Sequence, residues 1–321
     1  MRWWHTIQQL RNKGVLGLNA RNALYLLPHN QRELYPLVDD KLRTKQLAQA
    51  AGIAVPPLYA VISTPREAKK IHDTLAAWSD FVIKPAHGSG GDGILVVTGR
   101  TRKGYRLSNG ATLLPEDMEF HIQSALSGIF SLGGQPDRVL VEYRVQLDPL
   151  FEGITFYGVP DMRIIVYRGV PVMAMVRLPT RQSLGRANLH QGAVGVGVDL
   201  ASGRMLQGVL HHQVIDEHPD TGNPLGSLIV PHWERLLELG ARSLELTGLG
   251  YQGIDIVLDR NLGPLILELN ARPGLTIQIA NQAGLDPRLQ EVDRHRENLA
   301  AATPQERARF ARERFGVTQS I

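Results

Sequence analysis

Glu268, Asn270 and Arg272 interrupt an apolar run, LILELNARPGL from Leu265 to Leu275, which Pro273 and Gly274 then end. An unpaired carboxylate or guanidinium inside such a strand costs several kcal/mol, so these side chains need one another, a metal or an anion. The preceding run, GIDIVLDRNLG, offers a partner. If RNLG closes the turn, Asp259 pairs with Pro264 and Asp255 falls opposite Glu268, with Asn270 on the same face. Leu265, Leu267 and Leu269, with Ile254, Ile256 and Leu258, then point into the core. Two carboxylates facing each other across a strand pair repel by about 1 kcal/mol or more, and a cation relieves this. Oxygen donors from two acids and an amide suit Mg²⁺, with Mn²⁺ as the alternative, because such an ion takes a few carboxylates and completes its shell with water and phosphate oxygens. The competing reading is a solvent-facing edge carrying unrelated acids.

A second constellation is IKPAHGSGGDG, where Lys84 ends an apolar strand and a glycine-rich loop, 87–93, follows. Glycines let backbone N–H groups approach an anion closely, and an ammonium at the end of a buried strand needs an anion. This is no Walker loop, since the lysine precedes the glycines and a strand follows; a plain hairpin is the simpler alternative. In VEYRV, Glu142 sits where the chain leaves a strand, a place from which an acceptor and neighbouring backbone groups can read an adenine edge; otherwise it is a surface acid.

These residues must be held by a sizeable core, and 321 residues with 43% hydrophobic and 21% charged content can build one with two or three subdomains. A net charge of +4 suits an anionic ligand, but the basic residues are scattered, so no nucleic-acid partner is expected. The absence of cysteine excludes disulfides and fits a reducing cytoplasm. No apolar run reaches the roughly 18 residues of a membrane span. MRWWHTIQQLRNKG lacks a signal-peptide core, and Trp3 and Trp4 read as part of a packed terminal helix in preference to a membrane-surface one. A homo-oligomer is left open.

Along the chain, DKLRTKQLAQAA from Asp40 is a helix stopped by Gly52, Pro56 and Pro57, and LYAVIS is a strand. Thr64, Pro65 and Glu67 form a capping box opening a helix that runs to about Trp78. FVIKP and GILVVTG are strands around the glycine loop, GYRLSNGATL is a hairpin, and a helix spans Pro115 to Leu126. RVLVEYRV is a strand, DMRIIVYRGVPVMAMVRLP a hairpin turning at Arg168 and Gly169, and IVPHWERLLELGARSLELTG an amphipathic helix. The tail from Pro287 is polar and helix-prone. Strands mixed with helices predict an α+β architecture with mainly antiparallel sheets.

Taken in order, Lys41, Lys84 with its glycine loop, Glu142, the DMR hairpin, GRANLHQG, and Asp255 with ELNARPG make the chain resemble the ATP-grasp superfamily. Within it the resemblance is greatest to the RimK-type, alpha-L-glutamate ligase-like branch; the sugar-transfer-associated ATP-grasp proteins are a further relation. The resemblance implies two α+β subdomains gripping ATP between mainly antiparallel sheets. It places a short helical segment at 1–39 where the branch has an N-terminal α/β domain, a first subdomain at 40–141, a second at 142–286 and a helical tail at 287–321. The implied cofactors are ATP and Mg²⁺. Lys41, Lys84, Gly90 and Gly91 match phosphate contacts, and Glu142, Tyr143 and Val145 match the adenine hinge. Asp161 matches an acid near the ribose, and Arg186 and Asn188 a phosphate-side element. Asp255, Glu268 and Asn270 match metal ligands, while Arg177 and Arg272 resemble the basic residues around the reacting groups. The activity implied is that of an acid–amino-acid ligase, joining a carboxylate, with glutamate as the model, to the amine of a peptide or small molecule through an acyl phosphate. A phosphotransferase and a non-catalytic ATP-binding protein are the alternatives. The short leading segment and the inserts at 100–137 and DPLFEGITFYGVP depart from the branch and leave the substrates open.

Overall fold

In the computed structural model, residues 8–316 are described apart from 89, 132 and 227, so Trp3, Trp4 and the last five residues lie outside the described part. A small sheet is built from β1 (Leu58–Ile62), β2 (Phe81–Pro85), β3 (Leu95–Thr101), β4 (Gly104–Leu107), β5 (Thr112–Leu113) and β6 (Val139–Glu142). Its order is β1-β6-β2-β3-β4-β5, and every neighbouring pair is antiparallel. Phe81, Ile83 and Val97 pack there against Met118, Ile122 and Ala125 of the helix Pro115–Leu126, which starts on a proline at its first position as expected. The Thr64–Glu67 capping box is also present. Its helix is shorter than expected, because Lys70 at φ −99° and ψ 9° breaks the ladder before Ile71–Thr74, letting Ala68, Ile71 and Leu75 all bury.

The larger sheet contains β7 (Asp161–Tyr167), β8 (Val170–Leu178), β9 (Val194–Val198), β10 (Met205–Leu210), β11 (Gln213–Ile215), β12 (Tyr251–Asp259) and β13 (Gly263–Asn270). Its order, β11-β10-β9-β8-β7-β12-β13, sets β12 between β7 and β13, again all antiparallel. Between β7 and β8, Arg168 and Gly169 both take left-handed φ, 49° and 76°, which gives a two-residue turn the twist of its strands. The helices Trp233–Ala241 and Pro304–Phe315 cover this sheet, with Trp233, Leu236, Leu237, Ala308, Ala311 and Phe315 buried, so the polar tail contributes to the large core.

Two connections bring the sheets into contact. The helix Lys41–Ala50 packs on β13 and puts Ala48 into the large core, while its Leu42 meets Ala86 and Leu140 of the small sheet. Upstream, Asn30 Nδ2 donates to the carbonyls of Tyr251 and Ala271 and its Oδ1 accepts from Tyr251 N–H, tying the leading segment to β12 and the end of β13. Among the described residues no helix is long and apolar enough to cross a membrane.

The β12–β13 hairpin departs from its expected register in one instructive way. Asp259 pairs with Gly263, not Pro264, and the turn is one residue shorter than RNLG. A bulge after Asp255 restores the offset, so Asp255 does face Glu268. The bulge leaves Leu267 unpaired and turns it to the same side as Glu268. Ile254, Ile256, Leu258, Ile266 and Leu269 enter the large core, whereas Leu265 and Leu267 pack with Val145, Val159 and Val257 in a separate cluster.

Candidate active site

Adjacent strands of the large sheet place five charged side chains in one row. Asp255 on β12 is the register partner of Glu268 on β13 and of Arg163 on β7, and Asp161, on the same face of β7 as Arg163, is the partner of Arg177 on β8. Arg163 grips Asp255 with Nε at 2.7 Å and Nη2 at 2.5 Å; Arg177 grips Asp161 with two bonds of 2.5 Å and reaches Asp255 Oδ2 at 2.7 Å. Burial alone would raise the Asp255 carboxyl, but the guanidiniums of Arg163 and Arg177 outweigh it and hold the group well below the usual carboxylate range. Burial, joined by the charge of Asp255, pushes Asp161 up to about 6 against the pull of Arg177. Three carboxylates against two guanidiniums leave one negative charge in excess, and the opening is at Glu268: its nearest cations are Arg163 Nη2 at 3.9 Å and Lys41 Nζ at 4.0 Å. Asn270 Nδ2 spans Asp255 Oδ2 at 3.4 Å and Glu268 Oε1 at 3.3 Å, so the three candidate metal ligands converge. An ionised buried acid, an open carboxylate and an amide, carrying surplus negative charge, fit a hard divalent cation.

The other wall carries the opposite excess. Lys84, at the end of β2, and Lys45, inside the helix Lys41–Ala50, share one partner: Glu142 Oε1 lies 2.5 Å from Lys84 Nζ and Oε2 lies 3.0 Å from Lys45 Nζ. Burial would raise Glu142, yet Lys84 and Lys45 outweigh it and keep the carboxyl below its ordinary value. The Glu142 side chain is therefore the internal counter-ion of the lysines, and two ammoniums to one carboxylate leave a positive charge for an anion in the cleft. Lys41 Nζ, whose protonation burial disfavours, donates to the carbonyl of Gly88. The glycine loop meets the far wall where Arg186 Nη1 lies 3.2 Å from Asp92 Oδ1, and a Cβ added at Gly90 would come within 4.0 Å of Asn188 Nδ2.

Between the walls lies a cleft of about 1090 Å³, lined by Lys41, Lys84, Gly90, Gly91, Glu142, Tyr143, Val145, Asp161, Arg163, Arg177, Arg186, Asn188, Asp255, Glu268 and Asn270. Val82, Val145, Leu147, Val257 and Leu267 give it an apolar slot. The Tyr143 N–H donates to Pro57 O at 2.8 Å, so that amide is already engaged. Arg272 is not brought together with the others: its guanidinium lies over the Tyr35 ring at 5.0 Å and 3.7 Å from Asp39 Oδ2, with the side chain 58% exposed, and it does not line the cleft. Tyr35 and Asp39 draw it outward by a cation–π contact and an ion pair. Arg163 was not among the expected site residues, although DMR places it two positions after Asp161 on the same face, and Lys45 was missed four residues after Lys41 on its helix.

A family model, sugar-transfer associated ATP-grasp, matches residues 20–294. A probable alpha-L-glutamate ligase of an Enterobacter species is 25% identical over 267 residues, covering 83% of this chain and 67% of that protein. A protein of the same description from Maridesulfovibrio salexigens is 25% identical over 236 residues, covering 74% of this chain and 56% of that one, so the chain spans a little over half to two thirds of these relatives. Among solved structures, D-alanyl-alanine synthetase A of Vibrio cholerae superposes with a TM-score of 0.49 at 15% identity, covering 89% of this chain and 68% of that one. The match over residues 20–294 takes in both sheets and the cleft between them, and by it the chain belongs to the sugar-transfer associated ATP-grasp family.

Proposed function

We propose that the protein is an ATP-dependent carboxylate–amine ligase that joins glutamate or a related amino acid to a peptide or small-molecule acceptor. The observation that carries this reading is the polarity of one cleft: the ammoniums of Lys41 and Lys84 on one wall, with Lys45 behind sharing the Glu142 counter-ion of Lys84, and a surplus carboxylate at Glu268 beside Asp255 and Asn270 on the other. A magnesium polyphosphate nucleotide is the ligand that answers both, with its base in the slot formed by Val145, Val257 and Leu267.

A carboxylate is a poor acyl donor, and phosphorylation makes it a good one. In the first step a substrate carboxylate oxygen attacks the γ-phosphorus and ADP leaves; in the second the amine attacks the acyl carbon, phosphate leaves and the amine gives up a proton. Lys41 and Lys84 hold the phosphates, while Arg163 and Arg177 keep Asp255 ionised as a ligand for the cation that the transferring phosphate brings. Asp255, Glu268 and Asn270 would hold Mg²⁺, which would supply charge neutralisation on the transferring phosphate.

Hydroxylamine separates the possible outcomes. With Mg-ATP and an amino-acid pool, the protein is expected to release ADP and to give a hydroxamate, since hydroxylamine captures an acyl phosphate. A stable phosphoester without hydroxamate replaces the ligase by a phosphotransferase, and tight nucleotide binding without ADP release points to a non-catalytic role. Lys84→Met is expected to weaken Mg-ATP binding about 10- to 100-fold by calorimetry. The fold should survive, because Glu142 keeps Lys45 at 3.0 Å; undiminished affinity removes Lys84 from the phosphate site.

A further inference from the structure

Asp137 takes no part in the chemistry above, yet its side chain is 0% exposed and four donors converge on it. Oδ2 accepts from His87 N–H at 3.0 Å and Ser131 Oγ at 2.7 Å; Oδ1 accepts from His87 Nδ1 at 2.6 Å and Arg138 N–H at 2.7 Å. Burial would raise this carboxyl, but the hydrogen bonds from Ser131 and His87 hold it below its ordinary value, so it accepts and the ring donates from Nδ1. The second ring nitrogen, Nε2, lies 3.8 Å from Asp40 Oδ2, which Arg138 Nη2 also reaches at 2.5 Å.

Asp40 caps the helix that begins with Lys41: its Oδ1 accepts from Leu42 N–H. Lys41 N–H in turn donates to Ala86 O at 3.0 Å, and Lys41 Nζ donates to Gly88 O. Gly88 bridges to Ser131 and passes so close to Pro85 that a Cβ there would lie 2.4 Å from the proline Cγ. The imidazole of His87 thus stands between Asp137, which fixes the root of the glycine loop, and Asp40, which fixes the helix of Lys41.

We infer that His87, held by Asp137, is a positioning residue that fixes the root of the glycine loop where Ala86 O and Gly88 O meet Lys41, and so sets these two phosphate-facing elements relative to each other. A glycine-rich segment has many backbone states, and pinning its root removes much of the ordering that a bound phosphate must otherwise impose. The contact itself is a property of the nucleotide-free protein; its effect on ATP rests on the ligase reading.

The test uses the full chain and two variants, His87→Gln and Asp137→Asn. Hydrogen exchange without nucleotide is expected to show the backbone amide of residue 87 exchanging at least about tenfold faster in both, with β6 peptides unchanged. In the ligase assay the KM for ATP is expected to rise about tenfold while kcat at saturating ATP stays within about twofold. Asp137→Asn changes a buried group and can misfold; His87, 39% exposed, provides the variant that keeps its fold. Wild-type exchange at the root of the loop in His87→Gln overturns the inference. So does a lowered melting temperature with exchange and KM unaltered, the mark of a merely structural contact. If the wild type binds no Mg-ATP, the ligase reading fails while the exchange comparison still decides whether His87 pins the loop.

Discussion

Replacing Glu268 by glutamine is expected to lower Mg-ATP turnover by at least about a thousandfold while leaving the fold intact. Glu268 carries the surplus negative charge of the acid–arginine row, and its side chain is 31% exposed to the cleft with no cation among the described residues closer than 3.9 Å. Glutamine keeps the shape and can still accept from Asn270 Nδ2, so only the charge is removed. Stability should stay within about 1 kcal/mol, because losing the surplus carboxylate leaves two acids against two guanidiniums and strands no charge. The companion change Asp255→Asn is a poorer test, because Asp255 is buried under two guanidiniums and its neutralisation disturbs folding and metal binding together. ADP release by Glu268→Gln within about tenfold of wild type, with an unaltered melting curve, removes Glu268 from the metal site.

Why Asp255 and Glu268 could be matched from the chain alone, while Arg163 could not, follows from the range of the information each needs. A hairpin is local: alternation and a short turn bring Asp255 opposite Glu268, and the bulge at Leu267 cancels the error in turn length. That cancellation also hid the exchange of Leu267 and Ile266 between slot and core, since a bulge leaves no mark in an apolar run. Helix starts were legible at Thr64 and Pro115 because caps and prolines act within a few residues. Arg163 meets Asp255 from 92 residues away, and only the placement of β12 beside β7 makes them neighbours. Glu142 is a counter-ion because β6 lies between β1 and β2, against Lys84 and beside the Lys45 helix, a nonlocal arrangement. Arg272 adjoins the ligand motif in sequence, but Tyr35 and Asp39 near the start of the chain decide where it points.

The largest stability effect is expected at Arg177, because one guanidinium there serves two buried acids. Arg177→Met removes both bonds to Asp161 and one to Asp255, which keeps Arg163 and Asn270. Removing one partner of a buried ion pair costs about 3–5 kcal/mol, most of it the charge left behind, so denaturant unfolding at neutral pH should show a loss of that size. Combining it with Asp161→Asn removes the stranded charge as well and should recover about half or more, a coupling that a double-mutant cycle measures directly. The acid side carries a separate signature. With its folded value raised to about 6, Asp161 binds a proton more tightly folded than unfolded, so its contribution to stability grows as the pH falls from 6 towards the ordinary carboxylate value near 4. Asp255 has the opposite sign: its folded value is depressed, so its contribution is present above the unfolded value and is lost as the pH falls through the folded one. Asp161→Asn should therefore lose the part of the slope in the unfolding free energy that Asp161 contributes between pH 6 and about 4. An unchanged slope, or an Arg177→Met protein as stable as wild type, means that the row is not the buried, undercompensated cluster its geometry describes.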